Sequence, residues 1–278
     1  MDDKAANEIR RVLRPELKNA MTFLGSGDFH QVSSLLIQQF DDPISVIVFD
    51  HHPDWDTLPP KLHCGSWVTN VLKTKPNVQK LILIGVSSED ISSPWIQTGN
   101  LQALANDRVE IYPYWHQPTR TFLKHVPNNR SIRIKRGLLS NLISWQELGK
   151  IDIDEFFLRL LKELTPRQVY VSIDKDCLRA SDSLTNWEGG CLSLGELLRV
   201  LQLINTHCEI VGLDIVGDYS QPAVKGRLKA AWAEIDRPQH YSAKGKSLSL
   251  INEINEDTNL RILELLIRQL APHGTLPV

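Results

Sequence analysis

Six residues, His30, Asp50, His52, Asp54, Asp174 and Asp176, are of types that bind metal ions, and their spacing groups them. Asp50, His52 and Asp54 alternate in "VIVFDHHPDWD" (46–56), and Asp174 and Asp176 alternate in "SIDKD" (172–176). Alternate side chains of an extended segment project to one side. Each run therefore presents its acids and imidazole together, while His51 and Pro53 point away. No lysine or arginine lies between Lys18 and Lys61, and carboxylates gathered without basic partners repel one another unless a cation sits among them. Mixed imidazole and carboxylate donors suit Mn²⁺, Zn²⁺ or Fe²⁺, whereas Mg²⁺ and Ca²⁺ prefer oxygen alone. Six protein ligands exceed the three that hold an open catalytic metal. They suit two metals about 3.5–4 Å apart, joined by shared carboxylates, with a bridging water made acidic enough to attack.

Strands must carry those residues. Short runs rich in Val and Ile, at 21–24, 45–49, 80–85, 109–112, 168–173 and 209–214, lack polar alternation and read as strands buried on both faces. Residues 132–134 form a weaker candidate. Helical patterns lie between them at 5–18, 30–40, 64–74, 95–106, 153–164, 193–206 and 246–270. Ser193 with Glu196 three residues later is a capping box at the head of one helix. The alternation predicts an α/β fold of three layers, αβα, with a mostly parallel central sheet, in a single domain over residues 1–278. In such sheets ligands bind at the carboxyl ends of the strands. Four predicted strand ends carry acids or imidazoles: Asp28 and His30, Asp50 to Asp56, Asp174 and Asp176, and Asp214 with Asp218.

Composition narrows the function classes. With 31 basic and 33 acidic residues the net charge is -2, which gives no global electrostatic reason to bind nucleic acid or an anionic membrane. No apolar run approaches the roughly 18 residues of a membrane span, and the start, "MDDKAANEIRRVL", lacks the apolar core of a secretory signal. Cys64, Cys177, Cys191 and Cys208 are scattered without a C-x-x-C pair, so a reduced, cytoplasmic protein is expected.

The ordered set of strand-end motifs resembles the arginase/agmatinase (ureohydrolase) family. "GSGDFH" stands where that family has Gly-Gly-Asp-His, "FDHHPDWD" where it has Asp-Ala-His-x-Asp, and "SIDKDCL" where it has Ser-x-Asp-x-Asp. "WEGGCLSLGELL" and "EIVGLDIVGDYSQP" resemble later segments, so the likeness runs over roughly residues 20 to 225. The resemblance implies two Mn²⁺ ions on His30, Asp50, His52, Asp54, Asp174 and Asp176, and hydrolysis of a linear C–N bond other than a peptide bond. Zn²⁺ or Fe²⁺ remains an alternative metal. It also implies a small-molecule substrate of cationic character and assembly into a homo-oligomer. Two other readings stay open: a single-zinc amide deacetylase on the same fold, and a metal-binding member without turnover.

Catalysis is expected from Asp54 and from His63, which precedes Gly65-Ser66 and a helix much as the family's proton-shuttling histidine precedes its own. His51 is a second choice for the shuttle, and His116 reads as an ordinary loop residue. The family's guanidinium-holding glutamate falls at Gly217, so Asp218 and Glu188 become the candidate substrate acids, with Trp187 offering a ring face to a cation. Asp28 is expected to accept a hydrogen bond from a ligand imidazole, Asp56 to cap the following segment, and Glu89 and Asp90 to lie on the rim. The segment 226–245 is expected to shape either that rim or a subunit contact.

Overall fold

The strands form where Val and Ile are densest. In a computed structural model, which describes residues 1, 3–13, 20–92, 98–122, 129–220 and 241–270, β1 (Met21–Gly25), β2 (Ile44–Phe49), β3 (Val78–Ile84), β4 (Val109–Tyr112), β8 (Gln168–Asp174) and β9 (Glu209–Val216) make one parallel sheet. Their order is β1-β9-β8-β2-β3-β4. All six residues of β2 are buried, which explains its lack of polar alternation. From β2 the chain moves outward through β3 to β4, and it returns to β2's other side with β8. The carboxyl ends of β2 and β8 therefore flank the point where the winding reverses, where open α/β sheets bind ligands.

Helices cover both faces. Val46 and Val48 share a core cluster with residues of α2 (Ser33–Ile37), α3 (Trp67–Thr74) and α4 (Leu101–Ala105). Ile47 and Phe49, one residue out of phase, join α5 (Ile153–Glu163), α6 (Leu194–His207) and α7 (Leu248–Leu270). The predicted three-layer αβα architecture is thus observed. The capping box is present at the head of α6, where Ser193 Oγ accepts from Glu196 N at 3.2 Å and Glu196 Oε2 accepts from Ser193 N at 2.8 Å. The first helix, α1, spans Asp3–Val12, and the later part of the expected 5–18 helix lies outside the described residues, as do 95–97 of the 95–106 helix and most of the 226–245 segment. The expected helix at 30–40 is shorter, a 3₁₀ turn over Gly27–Val32 running into α2.

A second, antiparallel sheet of β5 (Thr119–Thr121), β6 (Ile132–Arg136) and β7 (Asn141–Trp145), in the order β5-β7-β6, is one element that the sequence shows only at 132–134. Ile132, Ile143 and Trp145 turn into the core while Arg133 and Ser144 stay exposed. Glu110 on β4, 1% exposed, braces the neighbouring elements. It accepts hydrogen bonds from Tyr112 Oη at 2.8 Å and Arg130 Nε at 3.1 Å, and Lys80 Nζ lies 3.2 Å away on β3. Removing this shared acceptor leaves Tyr112 Oη without its partner and takes one partner from Arg130 and from Lys80, which keep Glu163 and Asp107. Glu110→Ala is expected to lower stability by about 2 kcal/mol and Tyr112→Phe by about 1 kcal/mol, read as shifted urea midpoints at constant slope.

Candidate metal centre

Both D-x-H and D-x-D use one device. Asp50 Oδ1 accepts from the backbone N–H of His52 at 2.7 Å, and Asp174 Oδ1 accepts from that of Asp176 at 3.0 Å. Each aspartate thus closes a turn onto its own backbone two residues on, which fixes the carboxylate and leaves Oδ2 for other partners. The Oδ2 atoms of Asp50, Asp54 and Asp174 lie 3.2, 3.0 and 3.5 Å from His30 Nδ1. Across the site, His52 Nδ1 is 3.0 Å from Asp176 Oδ2 and 3.8 Å from Asp50 Oδ1. Two triads result, His30–Asp50–Asp174 and Asp50–His52–Asp176, and in each the donor atoms lie within 4.8 Å of one another. The expectation that residues 50–54 form a plain extended segment is corrected here. Asp54 has φ +44, and Pro53 lines the cavity instead of turning away. The turn closed by Asp50 and the left-handed backbone at Asp54 gather the donors.

Behind the donors stands a buried support. His30 Nε2 pairs with Ser172 Oγ at 3.0 Å, and Ser172 Oγ donates to Asp214 Oδ1 at 2.8 Å. Ser33 Oγ and Tyr170 Oη also donate to Asp214, at 3.0 and 2.6 Å. Asp28, the expected acceptor for His30, instead pairs with Ser26 Oγ at 3.2 Å. The 3₁₀ turn aims the far nitrogen of His30 over the sheet, where β8 and β9 supply Ser172 and Asp214. Trp67 Nε1 donates to Asp54 Oδ2 at 2.7 Å, and its ring lies 4.8 Å from that of His30. Nothing in the local sequence marks Ser172, Tyr170, Ser33 or Trp67 for these roles. Only the convergence of strand ends points to Asp214.

The electrostatics are those of a site built for cations. Burial and the charges of Asp54 and Asp176 push Asp50 well above the usual carboxylate range, and burial with Asp176 raises Asp174 to about 7. Burial alone would lower His30 and His52, but their carboxylate partners hold both well above the ordinary imidazole value. Asp176 goes down, because the His52 and His51 contacts outweigh its burial. Asp50 Oδ2 is buried and receives no hydrogen bond. An orphaned carboxylate oxygen among imidazoles and acids fits a divalent ion, and the donor set fits a metal that accepts nitrogen as well as oxygen.

The cavity beside the triads holds about 250 Å³. His63, Asp56, Asp90 and Trp187 line it together with the candidate ligands. His63 Nε2 is buried without a hydrogen-bond partner, and burial lowers the imidazole's pKa. Asp56 does not cap a helix. Its backbone N–H donates to Gly65 O at 2.8 Å while its carboxyl enters the cavity, raised to about 7 by burial and by Asp90 and Asp54. Glu188 Oε2 lies 3.8 Å from His52 Nε2, and that imidazole holds its pKa low. Asp218 does not line the cavity: buried Lys175 is paired with it, and Lys175 also donates to Asn259 Oδ1 at 2.9 Å. His51 is buried with its ring against His52, and His116 packs at Ser92, away from the cavity lining.

The raised groups set a pH dependence for the metal-free protein. A group whose folded pKa is raised adds stability that is fully present below its unfolded pKa and lost as pH rises through the folded one. For Asp174 that window runs from about 4 to about 7, and Asp50, His30 and His52 act in the same direction. Metal-free protein is therefore expected to lose stability between about pH 4 and pH 7. Added Mn²⁺ should raise the melting temperature more at pH 8 than at pH 5, with protons released on binding. A flat apo profile in thermal melts would contradict this electrostatic picture.

The sequence profile of the Arginase family matches residues 3–226. An uncharacterised protein of Thermotoga maritima is 27% identical over 210 residues, covering 73% of this chain and 62% of that protein. The chain therefore spans less than two thirds of that relative's length. Among solved structures, proclavaminate amidino hydrolase from Streptomyces clavuligerus aligns with a TM-score of 0.58 at 14% identity, over 97% of this chain and 72% of that one. Formimidoylglutamase from Bacillus subtilis aligns with a TM-score of 0.51 at 17% identity, over 83% of this chain and 64% of that one. At such identities these structures speak to the fold, a parallel sheet between helices. The family profile covers every strand of the main sheet and all six candidate ligands, and the chain belongs to the arginase family.

Proposed function

We propose that the chain is a hydrolase that uses two Mn²⁺ ions to cleave a linear, non-peptide C–N bond in a guanidino, amidino or amide substrate. One observation carries this reading: Asp50 belongs to both triads and keeps a buried oxygen that no hydrogen bond satisfies. A bridging ligand requires that arrangement, whereas a lone zinc has no use for the second triad. Bound there, two divalent ions would polarise the substrate and acidify a water for attack. His30 and Asp174 would hold one ion with Asp50, Asp54 standing beside them, and His52 and Asp176 would hold the other with Asp50.

The remaining steps belong to the chain's own side chains. The Ser172–Asp214 pair fixes the His30 ring, and Trp67 fixes Asp54. His63, kept neutral at pH 7 by its burial, takes a proton at Nε2 and passes it to the departing nitrogen. Trp187 offers its ring face to the substrate's cation across the cavity. Glu188, beside His52, stands near enough to contribute, whereas Asp218 is already occupied by Lys175 and Asn259.

Elemental analysis of protein reloaded with Mn²⁺ tests the centre. Two ions per chain are expected, falling to one or fewer in Asp174→Asn. One tightly bound zinc, with His30 and Asp54 dispensable, would replace this reading by an amide deacetylase. Two ions without release of urea, ammonia or amine from any guanidino, amidino or amide compound would leave a metal-binding protein without turnover. For the shuttle, His63→Asn should lower kcat by about a hundredfold and flatten its acid limb, with metal content unchanged.

A further inference from the structure

The hairpin between β6 and β7 ends in a turn of unusual chemistry. Gly137, Leu138, Leu139 and Ser140 join Arg136 to Asn141, whereas turns ordinarily favour Gly, Pro, Asn, Asp and Ser. Leu138 is 105% exposed and Leu139 91%, so neither contributes to the core. Phe122, just past β5 at the same end of the sheet, is 60% exposed. Apolar residues scattered singly over a surface are normal, but adjacent leucines at an apex mark a contact with something apolar.

Cations surround that apex. From Ile111 to Gln146 the chain has no aspartate or glutamate and six lysines and arginines, while the rest carries 25 basic against 33 acidic residues. The net charge of -2 therefore hides a one-sided distribution. Arg130 is taken by Glu110 and Glu163, but Arg120, Arg133, Lys135 and Arg136 are exposed. Arg120 and Lys135 flank Leu142 in one cross-strand row, Arg133 faces Ser144 and Arg136 faces Asn141, so no acid stands opposite any of them. The other face of the sheet is fixed. Ile132, Ile143 and Trp145 are buried, Trp145 Nε1 donates to Thr119 Oγ1 at 2.9 Å, and Thr119 Oγ1 donates to Ile91 O at 2.6 Å. The hairpin is thus a stiff projection, and docking would require little further ordering.

We infer that the β6–β7 hairpin docks the protein on an anionic lipid surface, with Leu138 and Leu139 entering the headgroup layer and Arg120, Arg133, Lys135 and Arg136 facing lipid phosphates. At a rise of about 3.3 Å per residue, Arg136 and Lys135 lie about 3–7 Å behind the turn. Apolar groups of surface-bound segments reach roughly 5–10 Å into the headgroup boundary. The cations therefore arrive at phosphate depth when the leucines are inserted, and the two attractions act together. A nucleic acid would engage the same cations but leave the leucines in water. A two-fold contact with a second copy would set the cations against themselves. The attachment is peripheral, since no helix among the described residues is long and apolar enough to cross a membrane. It goes beyond the hydrolase reading and does not depend on it.

Co-sedimentation of the full chain with vesicles of phosphatidylcholine, with and without phosphatidylglycerol, tests it. Partition into the phosphatidylglycerol vesicles is expected, with little into phosphatidylcholine alone, and added salt should weaken it by screening the charges. Lys135→Gln combined with Arg136→Gln should lower the partition coefficient on the order of tenfold. Leu138→Ser combined with Leu139→Ser should lower it by roughly the same factor. All four side chains are exposed, so both double variants should melt at the temperature of the unaltered protein. No partition into the anionic vesicles, or partition that survives either double variant, would overturn the inference. So would preferential capture by polyuridylate, which would assign the hairpin to nucleic acid. A mass that grows with protein concentration and is lost in the leucine variant would overturn it as well, by making the occupant a second copy of the chain.

Discussion

Everything in this molecule is arranged around the mutual repulsion of four aspartates. Asp50, Asp54, Asp174 and Asp176 are each less than a tenth exposed, and they converge where two adjacent strands end. Water is too scarce there to screen them, so each negative charge raises the energy of the next. A structure can tolerate such a cluster only by protonating it, pairing it with imidazolium, or admitting metal ions. Without metal the first two answers operate together, as the raised pKa values of Asp174 and the two imidazoles indicate. Divalent ions supply the charge without the protons, which is why metal affinity and pH are coupled through the same oxygen and nitrogen atoms.

Holding the cluster in place takes more of the chain than forming it. Topology brings β2 and β8 side by side. The carboxylates themselves then fold their own turns, using one oxygen on backbone N–H groups and leaving the other for a ligand. The Asp214 hub, accepting from Ser172, Ser33 and Tyr170, transmits the rigidity of β8 and β9 to His30, which arrives from the edge strand β1. A metal-binding imidazole whose second nitrogen is fixed has its orientation and tautomer chosen for it. The core serves the same end: two out-of-phase sets of β2 side chains pack against helices on opposite faces, so the strand end cannot tilt without disturbing both layers.

Much of this is legible in the sequence, and the reason is physical. Strands buried on both faces must be apolar throughout, so β2, β3, β4, β8 and β9 stand out as Val- and Ile-rich runs, whereas the edge strand β1, MTFLG, has neither residue and is only partly buried. Ligands for a buried cation must be acids or imidazoles at strand ends, and few other residues meet both conditions. The antiparallel β5-β7-β6 sheet is harder to see because its strands are short, one face is charged, and their pairing spans residues 119 to 145. The support around His30 is harder still. Ser172, Tyr170 and Ser33 are ordinary residue types, and only long-range contact makes them partners of Asp214. Alternation also groups the candidate donors at 50–54 for a partly wrong reason, since the backbone leaves the extended region at Asp54.

Lys175 shows how one buried charge can redirect a site. It sits between Asp174 and Asp176, fully buried, with its ammonium turned from the cavity toward Asp218 and Asn259 on α7. Burial lowers its pKa, and the Asp218 carboxylate works against that shift. A lone ammonium there would pay a desolvation penalty of several kcal/mol, so Asp218 is committed to it and cannot also serve a substrate. The glycine before it is committed too, because only a residue without Cβ lets the loop lie against Asp174. These two commitments keep Gly217 and Asp218 out of the cavity lining.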